Sequence, residues 1–165
     1  MIEDLAARAV ASLERAGKTF TCAESCTGGL VGKRVTDIAG SSAVYPGGLI
    51  VYSDFAKHRL LGVPKSMLRE QGAVSEAVAR ELAERVRDKM GTDFGAGVTG
   101  LAGPDGDGSG KPVGLIYVAL SDDAGTVCRE LRLHGDRGGN RRAASDAVFS
   151  MVLERLGEKP ERSEL

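Results

Sequence analysis

Apolar residues recur at helical spacing along much of this chain. In the first such segment Leu5, Ala9 and Leu13 lie on one helical face, and Gly17 is placed to end the helix. Apolar spacing and capping residues predict the further helical segments, which are residues 30–38, a short helix from residue 54, a turn opened by Pro64, residues 76–90 and residues 141–156. The chain is therefore rich in amphipathic helices of ordinary length.

Short apolar runs between glycine, proline or polar residues predict the strands. These runs are residues 18–23, 47–52, 93–99, 113–120 and 126–134. A polar turn at 122–125 separates the last two, which predicts an antiparallel hairpin. Helices alternate with the earlier strands, so we expect an α/β fold whose mixed, mostly parallel sheet of about five strands is covered on both faces. No repeat or linker divides the chain, so residues 1–165 are predicted to form a single domain.

Glycine-rich or hydroxyl-rich segments follow three of the predicted strands. They lie around Ser25, around Tyr52 and over residues 99–110. In sheets of this type ligands bind outside the carboxyl ends of the strands. We therefore expect the three segments to converge on one crevice.

Composition limits the classes of function. The 165 residues are 42% hydrophobic and 27% charged, and a net charge of −1 with no basic patch argues against direct binding to nucleic acid. No apolar run approaches the length of a membrane span, and the acidic N-terminus (residues 1–4) does not resemble a signal peptide. Three cysteines form no disulfide framework. We expect a soluble cytoplasmic protein.

The turn between the first strand and the second helix carries the most informative chemistry. Ser25, Cys26 and Thr27 crowd this turn, and Gly28 and Gly29 let the backbone approach a ligand closely. A helix start offers unpaired N–H groups and the positive end of the peptide dipole, so the N–H groups of residues 27–29 are candidate donors to an anion or an oxyanion.

Ser25 is a candidate nucleophile, with three other interpretations left open. A serine at this position is also typical of a helix cap or a turn. Cys26 is an alternative nucleophile, although no histidine lies near it in sequence. The pair Cys22 and Cys26 is a weak metal motif, because no second ligand pair has suitable spacing.

A serine nucleophile needs a base, and Lys57 is the better candidate. The two histidines are less well placed, since His134 closes a hairpin strand and His58 only neighbours Lys57. A lysine base must be neutral, so its pKa has to fall from about 10.4 towards roughly 7–8, which requires burial or a nearby cation. Tyr52 is a candidate to relay a proton or orient the amine. The competing interpretation of Lys57 is an ordinary exposed lysine, and that of Tyr52 is an aromatic residue that simply ends a strand.

Basic residues cluster where the last helix is predicted to begin. Cations at a helix N-terminus oppose its dipole, so Arg137, Arg141 and Arg142 suggest a bound phosphate. The alternative is a solvated basic loop paired with Asp136. Thr99, followed by Gly100, would place a hydroxyl in the same crevice. The loop 100–110 is not a phosphate-binding loop of the Walker type, because the spacing of that motif is absent.

An ordered set of motifs resembles a known family. The set comprises AESCTGG at 23–29, GG at 47–48, YS at 52–53, AK at 56–57, GAVS at 72–75, VTGLAGP at 98–104, KPVG at 111–114 and GDR at 135–137. Together, over residues 5–156, these closely resemble the C-terminal domain of the competence/damage-inducible CinA family, the nicotinamide-nucleotide amidohydrolases.

The resemblance implies a fold, a reaction and site residues. It implies a three-layer α/β/α fold, commonly in a homodimer, that hydrolyses nicotinamide mononucleotide to nicotinic acid mononucleotide and ammonia without metal or cofactor. The matched positions imply Ser25 as nucleophile, Lys57 as base, Tyr52 as its auxiliary, Thr99 as a pocket hydroxyl, and Arg137 or Arg141 as the substrate-binding arginine.

Two departures from the family pattern bear on substrate preference. Pro46 stands where many relatives have a bulky or charged residue, and the loop 105–110 reads DGDGSG where relatives often have Gly-Gly-Ser and glutamates. The resemblance covers only the C-terminal domain of larger members, so we do not expect from it the chemistry of their N-terminal domain. Two rival functions are a non-catalytic nucleotide-binding or regulatory module linked to competence or DNA damage, and hydrolysis of a different amide.

Overall fold

A computed structural model describes residues 4–160 of the chain. The helices are α1 (Leu5–Ala16), α2 (Leu30–Thr36), α3 (Asp54–Leu61), α4 (Lys65–Gln71), α5 (Glu76–Met90) and α6 (Arg137–Arg155), with one turn of 3-10 helix at Ser41–Ala43. The strands are β1 (Phe20–Glu24), β2 (Leu49–Ile50), β3 (Phe94–Gly100), β4 (Leu115–Asp122) and β5 (Gly125–Arg132). Of the predicted acidic N-terminus, residues 1–3 lie outside the described part.

The strands form one mixed sheet in the order β2-β1-β3-β4-β5. β1 pairs in parallel with β2 and β3, whereas β3–β4 and β4–β5 are antiparallel. Four of the five strands therefore point the same way. The carboxyl ends of β1, β2 and β3 meet at one edge of the sheet, which is where the candidate segments follow.

Helices cover both faces of the sheet, which confirms the α/β prediction and gives three layers. α1, α2 and α6 pack together on one face, and α5 packs on the other with α3 and α4 beside it. Each face has its own core of apolar side chains: Phe20, Val31, Val98, Ile116 and Phe149 are central on the first, and Val51, Val63, Leu82 and Val86 on the second.

Glycines in β3 allow α5 to lie unusually close to the sheet. A Cβ built on Gly97 would lie 2.7 Å from the amide nitrogen of Ala83 and 2.8 Å from the Cβ of Leu82. A Cβ on Gly95 would meet the carbonyl oxygen of Ala83 at 2.5 Å. Two glycines on one strand therefore set the spacing between the middle and outer layers.

The structure corrects several predicted boundaries; β1, β3, β4 and β5 differ from the predicted strands by one or two residues at their ends, and three further changes concern α6, β2 and α2. α6 begins at Arg137 rather than at residue 141, because the Asp136 side chain accepts the N–H of Gly139 at 2.7 Å and caps the helix there. β2 spans only Leu49–Ile50, which pair with Ala23 and Glu24 at the end of β1; beyond them, the N–H of Val51 still donates to the carbonyl of Glu24 at 2.8 Å, the last residue of that strand. α2 ends at Thr36 rather than at residue 38.

No helix within residues 4–160 combines the length and the apolarity needed to cross a membrane. This finding matches the absence of a long apolar run in the sequence.

Candidate active site

The three candidate segments meet in one crevice at the carboxyl ends of β1, β2 and β3. Its volume is about 300 Å³. The side chains and backbone that line it include Ser25, Cys26, Tyr52, Lys57, Thr99, Gly100, Asp105, Asp107 and Arg137. A larger open groove of about 700 Å³ lies between α3 and α4, and none of the three candidate catalytic residues lines it. The convergence expected from the topology is therefore present.

Ser25 is held at the point where β1 ends. Its backbone N–H donates to the carbonyl of Val98 at 2.9 Å, so β3 fixes the start of the turn. The side chain is 7% exposed, and its Oγ lies 3.0 Å from the Nζ of Lys57. A hydroxyl and an amine at this distance can exchange a proton.

Lys57 reaches Ser25 from the first turn of α3. The Ser53 side chain caps this helix by accepting the N–H of Ala56 at 3.1 Å, which fixes where the helix starts and hence where Lys57 points. The lysine is 1% exposed. Within residues 4–160, no carboxylate lies within 4.0 Å of its Nζ.

The surroundings of Lys57 favour its neutral form. Burial lowers the pKa of the amine below its ordinary value, because the ammonium form loses its hydration. The nearby Asp54 carboxylate and the Cys26 thiol act in the opposite direction, but less strongly. The lowered pKa is what a lysine base requires.

Tyr52 contacts the two candidate catalytic groups through its backbone rather than its ring. Its carbonyl oxygen lies 3.4 Å from Ser25 Oγ and 3.5 Å from Lys57 Nζ. The side chain is 61% exposed, and its hydroxyl accepts a hydrogen bond from Arg137 at 3.2 Å. Of the two roles predicted for Tyr52, these contacts fit orientation of the amine, by the carbonyl, better than a proton relay through the phenol.

The cysteine alternatives fit this environment poorly. Burial raises the pKa of the Cys26 thiol to about 12, and burial also raises the pKa of Cys22. Both thiols are therefore protonated near neutral pH and weakly nucleophilic. Across the described residues, no group of three or more histidine, cysteine, aspartate or glutamate side chains is arranged to hold a metal ion.

The start of α2 is already occupied by a carboxylate that the sequence interpretation missed. Glu24, 2% exposed, accepts the N–H of Val31 at 2.8 Å and that of Gly32 at 3.1 Å. Gly29 supplies no side-chain cap, so the glutamate takes over that function from the strand end. A glutamate at the end of a buried strand, followed by a short turn and then a helix without a side-chain cap, is the sequence signal that would have identified it.

The glycines of the turn serve its geometry. Gly28 and Gly29 adopt φ values of +58° and +104°, a backbone conformation that other residues rarely take. The N–H of Gly28 donates to the carbonyl of Ser25 at 3.0 Å. Of the three predicted oxyanion donors at 27–29, the one at Gly28 is therefore committed to closing the turn.

Thr99 and Gly100 line the crevice as expected from the end of β3. The hydroxyl of Thr99 donates to the carbonyl of Ala73 at 2.7 Å and ties β3 to the loop before α5. A Cβ on Gly100 would lie 2.5 Å from Ile116, so this glycine is required by the pairing of β3 with β4. Its role is packing as well as proximity to the crevice.

The structure separates the two arginines that the sequence left as alternatives. Arg137 lines the crevice and donates to the carbonyl of Gly103 at 2.7 Å. Arg141 instead donates to the carbonyls of Cys26 at 3.2 Å and Thr27 at 2.6 Å, on the turn that follows Ser25. Only the first of the two has its guanidinium in the crevice wall.

Asn140 is a second residue that the sequence interpretation missed. It is 2% exposed, and its side-chain amide donates to the carbonyl of Ala102 at 3.0 Å and accepts the N–H of Gly135 at 3.0 Å. It thereby joins the loop after β3 to the start of α6. The spacing of 137, 140 and 141 on one helical face is the signal that could have identified it.

Comparisons with known proteins agree with the fold and with the ordered motifs. Residues 2–156 match the family described as "CinA C-terminal domain". A CinA-like protein of Geobacter sulfurreducens is 48% identical over 149 residues, which are 90% of this chain and 36% of that protein. A putative competence-damage inducible protein of Acetivibrio thermocellus is 50% identical over 81% of this chain and 32% of its own length. The chain thus spans about a third of the length of these curated relatives.

Solved structures of similar length have the same fold. A CinA superfamily protein from Klebsiella pneumoniae superposes with a TM-score of 0.90 at 30% identity, covering 93% of this chain and 96% of that one. The competence/damage inducible protein CihA from Agrobacterium tumefaciens gives 0.87 at 36% identity, covering 93% and 94%.

Proposed function

This chain belongs to the CinA C-terminal domain family, and from that premise we propose that it is an amidohydrolase acting on nicotinamide mononucleotide. The products are nicotinic acid mononucleotide and ammonia. The observation that carries the proposal is the 3.0 Å separation of Ser25 Oγ and Lys57 Nζ, both buried, at the carboxyl end of the sheet.

The first half of the reaction forms an acyl-enzyme. Ser25 Oγ attacks the carboxamide carbon while its proton passes to Lys57, which becomes an ammonium. The resulting oxyanion is met by backbone N–H groups of the turn after Ser25. When the tetrahedral intermediate collapses, the C–N bond breaks and Lys57 returns its proton to the departing ammonia. The carbonyl of Tyr52, 3.5 Å from Nζ, keeps the amine directed at the reacting atoms throughout.

The second half releases the acid. Water attacks the ester carbonyl, and Lys57 accepts the proton of the water. Collapse of the second tetrahedral intermediate breaks the bond to Ser25 Oγ, which recovers a proton from Lys57. The acid product loses its remaining proton to solvent and leaves as the carboxylate, and the neutral amine is regenerated for the next cycle.

Arg137 is the proposed ligand of the substrate phosphate. A guanidinium has five N–H donors, and the contacts to Gly103 and Tyr52 use two of them. The rest remain available for bidentate binding of a phosphate at the mouth of the crevice. The carboxylates of Asp54, Asp105 and Asp107 line the same crevice and repel an anionic group. The main attraction for such a group there therefore comes from Arg137.

An ammonia-release assay on the full chain tests the proposal. Nicotinamide mononucleotide, nicotinamide riboside and nicotinamide are compared at equal concentrations, with nicotinic acid products identified by mass spectrometry. We expect turnover of the mononucleotide, strong discrimination against the two compounds without phosphate, and loss of turnover in Ser25→Ala. Binding of the mononucleotide without any turnover would instead support the non-catalytic nucleotide-binding module. Full activity in Ser25→Ala would refute the nucleophile assignment.

Two expectations from the resemblance remain predictions of this proposal. A homodimer would be detected as twice the chain mass by light scattering. A cytoplasmic location would be detected by fractionation of cells that express the chain.

A further inference from the structure

Three residues in the first two turns of α6 share one face and hold the walls of the crevice. Arg137 and Asn140 donate to carbonyls of the loop after β3, and Arg141 donates to carbonyls of the turn after β1. The spacing i, i+3, i+4 places them side by side. The next residue, Arg142, lies off this face and pairs with Asp4 at 3.0 Å.

Arg141 is a half-buried cation whose guanidinium donates to neutral carbonyls. Within residues 4–160, no carboxylate lies within 4.0 Å of its guanidinium. Its two bonds go to consecutive carbonyls, those of Cys26 and Thr27. A charged donor bonds a carbonyl more strongly than a neutral one, so this contact holds the two peptide groups firmly.

Fixing these carbonyls also fixes the N–H groups at the other side of the same peptides. A trans peptide is planar, and its C=O and N–H point in opposite directions. The peptide whose oxygen comes from Thr27 contributes the N–H of Gly28, which donates to the Ser25 carbonyl. The peptide whose oxygen comes from Cys26 contributes the N–H of Thr27, which is therefore directed away from Arg141.

We propose that Arg141 is a positioning residue for the nucleophile turn and does not bind the substrate phosphate. It orients the Cys26–Thr27 peptide so that the N–H of Thr27 serves as an oxyanion donor. It also polarises the Thr27–Gly28 peptide, which strengthens the bond that closes the turn on Ser25. The inference rests on the proposed amide hydrolysis, and it divides the work of the arginines between Arg137 for substrate and Arg141 for the turn.

Steady-state kinetics with nicotinamide mononucleotide distinguish positioning from phosphate binding. We expect Arg141→Met to lower kcat by roughly 10- to 100-fold with little change in KM, since removing an oxyanion donor outright costs about 10²–10³. Arg141→Lys, which retains one charged donor, should recover part of the loss. Discrimination against nicotinamide riboside should persist in both variants, whereas Arg137→Met should raise KM and weaken that discrimination. Arg142→Gln is the matched control and should retain wild-type kinetics.

The pH profile adds a readout that a general loss of structure would not reproduce. Burial is the main cause of the lowered pKa of Lys57, and the guanidinium of Arg141 bonds backbone carbonyls of the turn rather than the amine. The pH at which kcat/KM rises as Lys57 loses its proton should therefore be the same in Arg141→Met as in the wild type, whereas the maximum value of kcat/KM should fall. A raised KM with unchanged kcat, or lost discrimination against the riboside, would overturn the positioning role.

A covalent probe separates this inference from the proposed substrate. A fluorophosphonate reacts when Ser25 Oγ displaces fluoride from phosphorus and the hydroxyl proton passes to Lys57. Intact-mass measurement of the rate needs no natural substrate, and Ser25→Ala sets the background. Slower labelling of Arg141→Met than of Arg142→Gln, both shown to be folded by circular dichroism, supports the positioning role even if the mononucleotide is not hydrolysed. Equal labelling rates would refute it.

Discussion

Replacing Lys57 by methionine should destroy activity and stabilise the fold at neutral pH. Methionine keeps a similar length and volume in a site that is 1% exposed, and it removes the amine. A general base contributes about 10²–10⁴ in rate. Because Lys57 is proposed to act in both halves of the reaction, we expect kcat/KM to fall by at least about 10³, equivalent to about 4 kcal/mol of barrier.

The gain in stability follows from the lowered pKa of the lysine. Between that native pKa and the unfolded value of about 10.4, the unfolded chain binds more protons than the native one. Native stability of the wild type therefore rises with pH across this window, by at most about 1.4 kcal/mol per pH unit. Below the window the full penalty is present. The Lys57→Met variant has no such penalty, so its advantage is largest at low pH and disappears as the pH approaches about 10.4.

Thermal unfolding of both proteins at several pH values between 7 and 10 measures this difference. For a domain of this size, 1.4 kcal/mol corresponds to roughly 3–6 °C in Tm, which is readily detected. Lys33, whose side chain is 68% exposed and pairs with Asp37 one turn away, supplies the control, because Lys33→Met should change stability by no more than about 0.5 kcal/mol. If Lys57→Met is less stable than the wild type at pH 7, and the difference in stability does not change with pH, then burial of the amine does not destabilise the native state.

Three further changes test the surroundings of this pair. Cys26→Ala should retain ammonia release within about tenfold of wild type, because burial raises the thiol pKa to about 12 and leaves little thiolate to react; complete loss of activity in the assay would restore the thiol as nucleophile. Glu24→Gln should lower thermal stability by about 2 kcal/mol, or roughly 4–8 °C, since a carboxylate that accepts two helix N–H groups becomes an amide with one acceptor. Gly97→Ala should lower it by at least about 2 kcal/mol, because the new Cβ would lie 2.7 Å from the backbone of Ala83; Gly106→Ala, with open space around it, should be neutral in the same melts.

Most of the fold could be predicted because its signals are local. The stripe of buried residues in α5, its cap at Ser75 and its end at Gly91 all lie within one short segment, and the structure has the helix where they predict it.

The start of α6 was misplaced for the opposite reason. Residues 137–141 contain two glycines and no apolar residue, so neither helix propensity nor periodicity indicates a helix there. The side chain of Asp136 and the contacts of Arg137 with a distant loop decide where the helix begins.

The candidate site was predictable to the extent that topology determines it. Parallel strands bring the segments after β1, β2 and β3 to one edge, so the approach of Ser25 to Lys57 follows from the strand order. The direction of a side chain does not follow from topology. The ring of Tyr52 points outward, which the sequence does not indicate. Arg141 contacts the turn instead of the crevice, and this could not be predicted because the sequence did not show where α6 begins.

The position of Glu24 changes how the developing negative charge in the proposed reaction has to be balanced. Its carboxylate takes the first free N–H groups of α2, so the positive end of that helix is already neutralised within the protein. The oxyanion must then be stabilised by individual amides of the turn and by the ammonium that forms on Lys57 during attack. Individual amides are effective only when their orientation is fixed in advance. A cation that bonds two successive carbonyls of the same turn supplies that orientation, which is why we expect the loss of Arg141 to reduce turnover rather than substrate affinity.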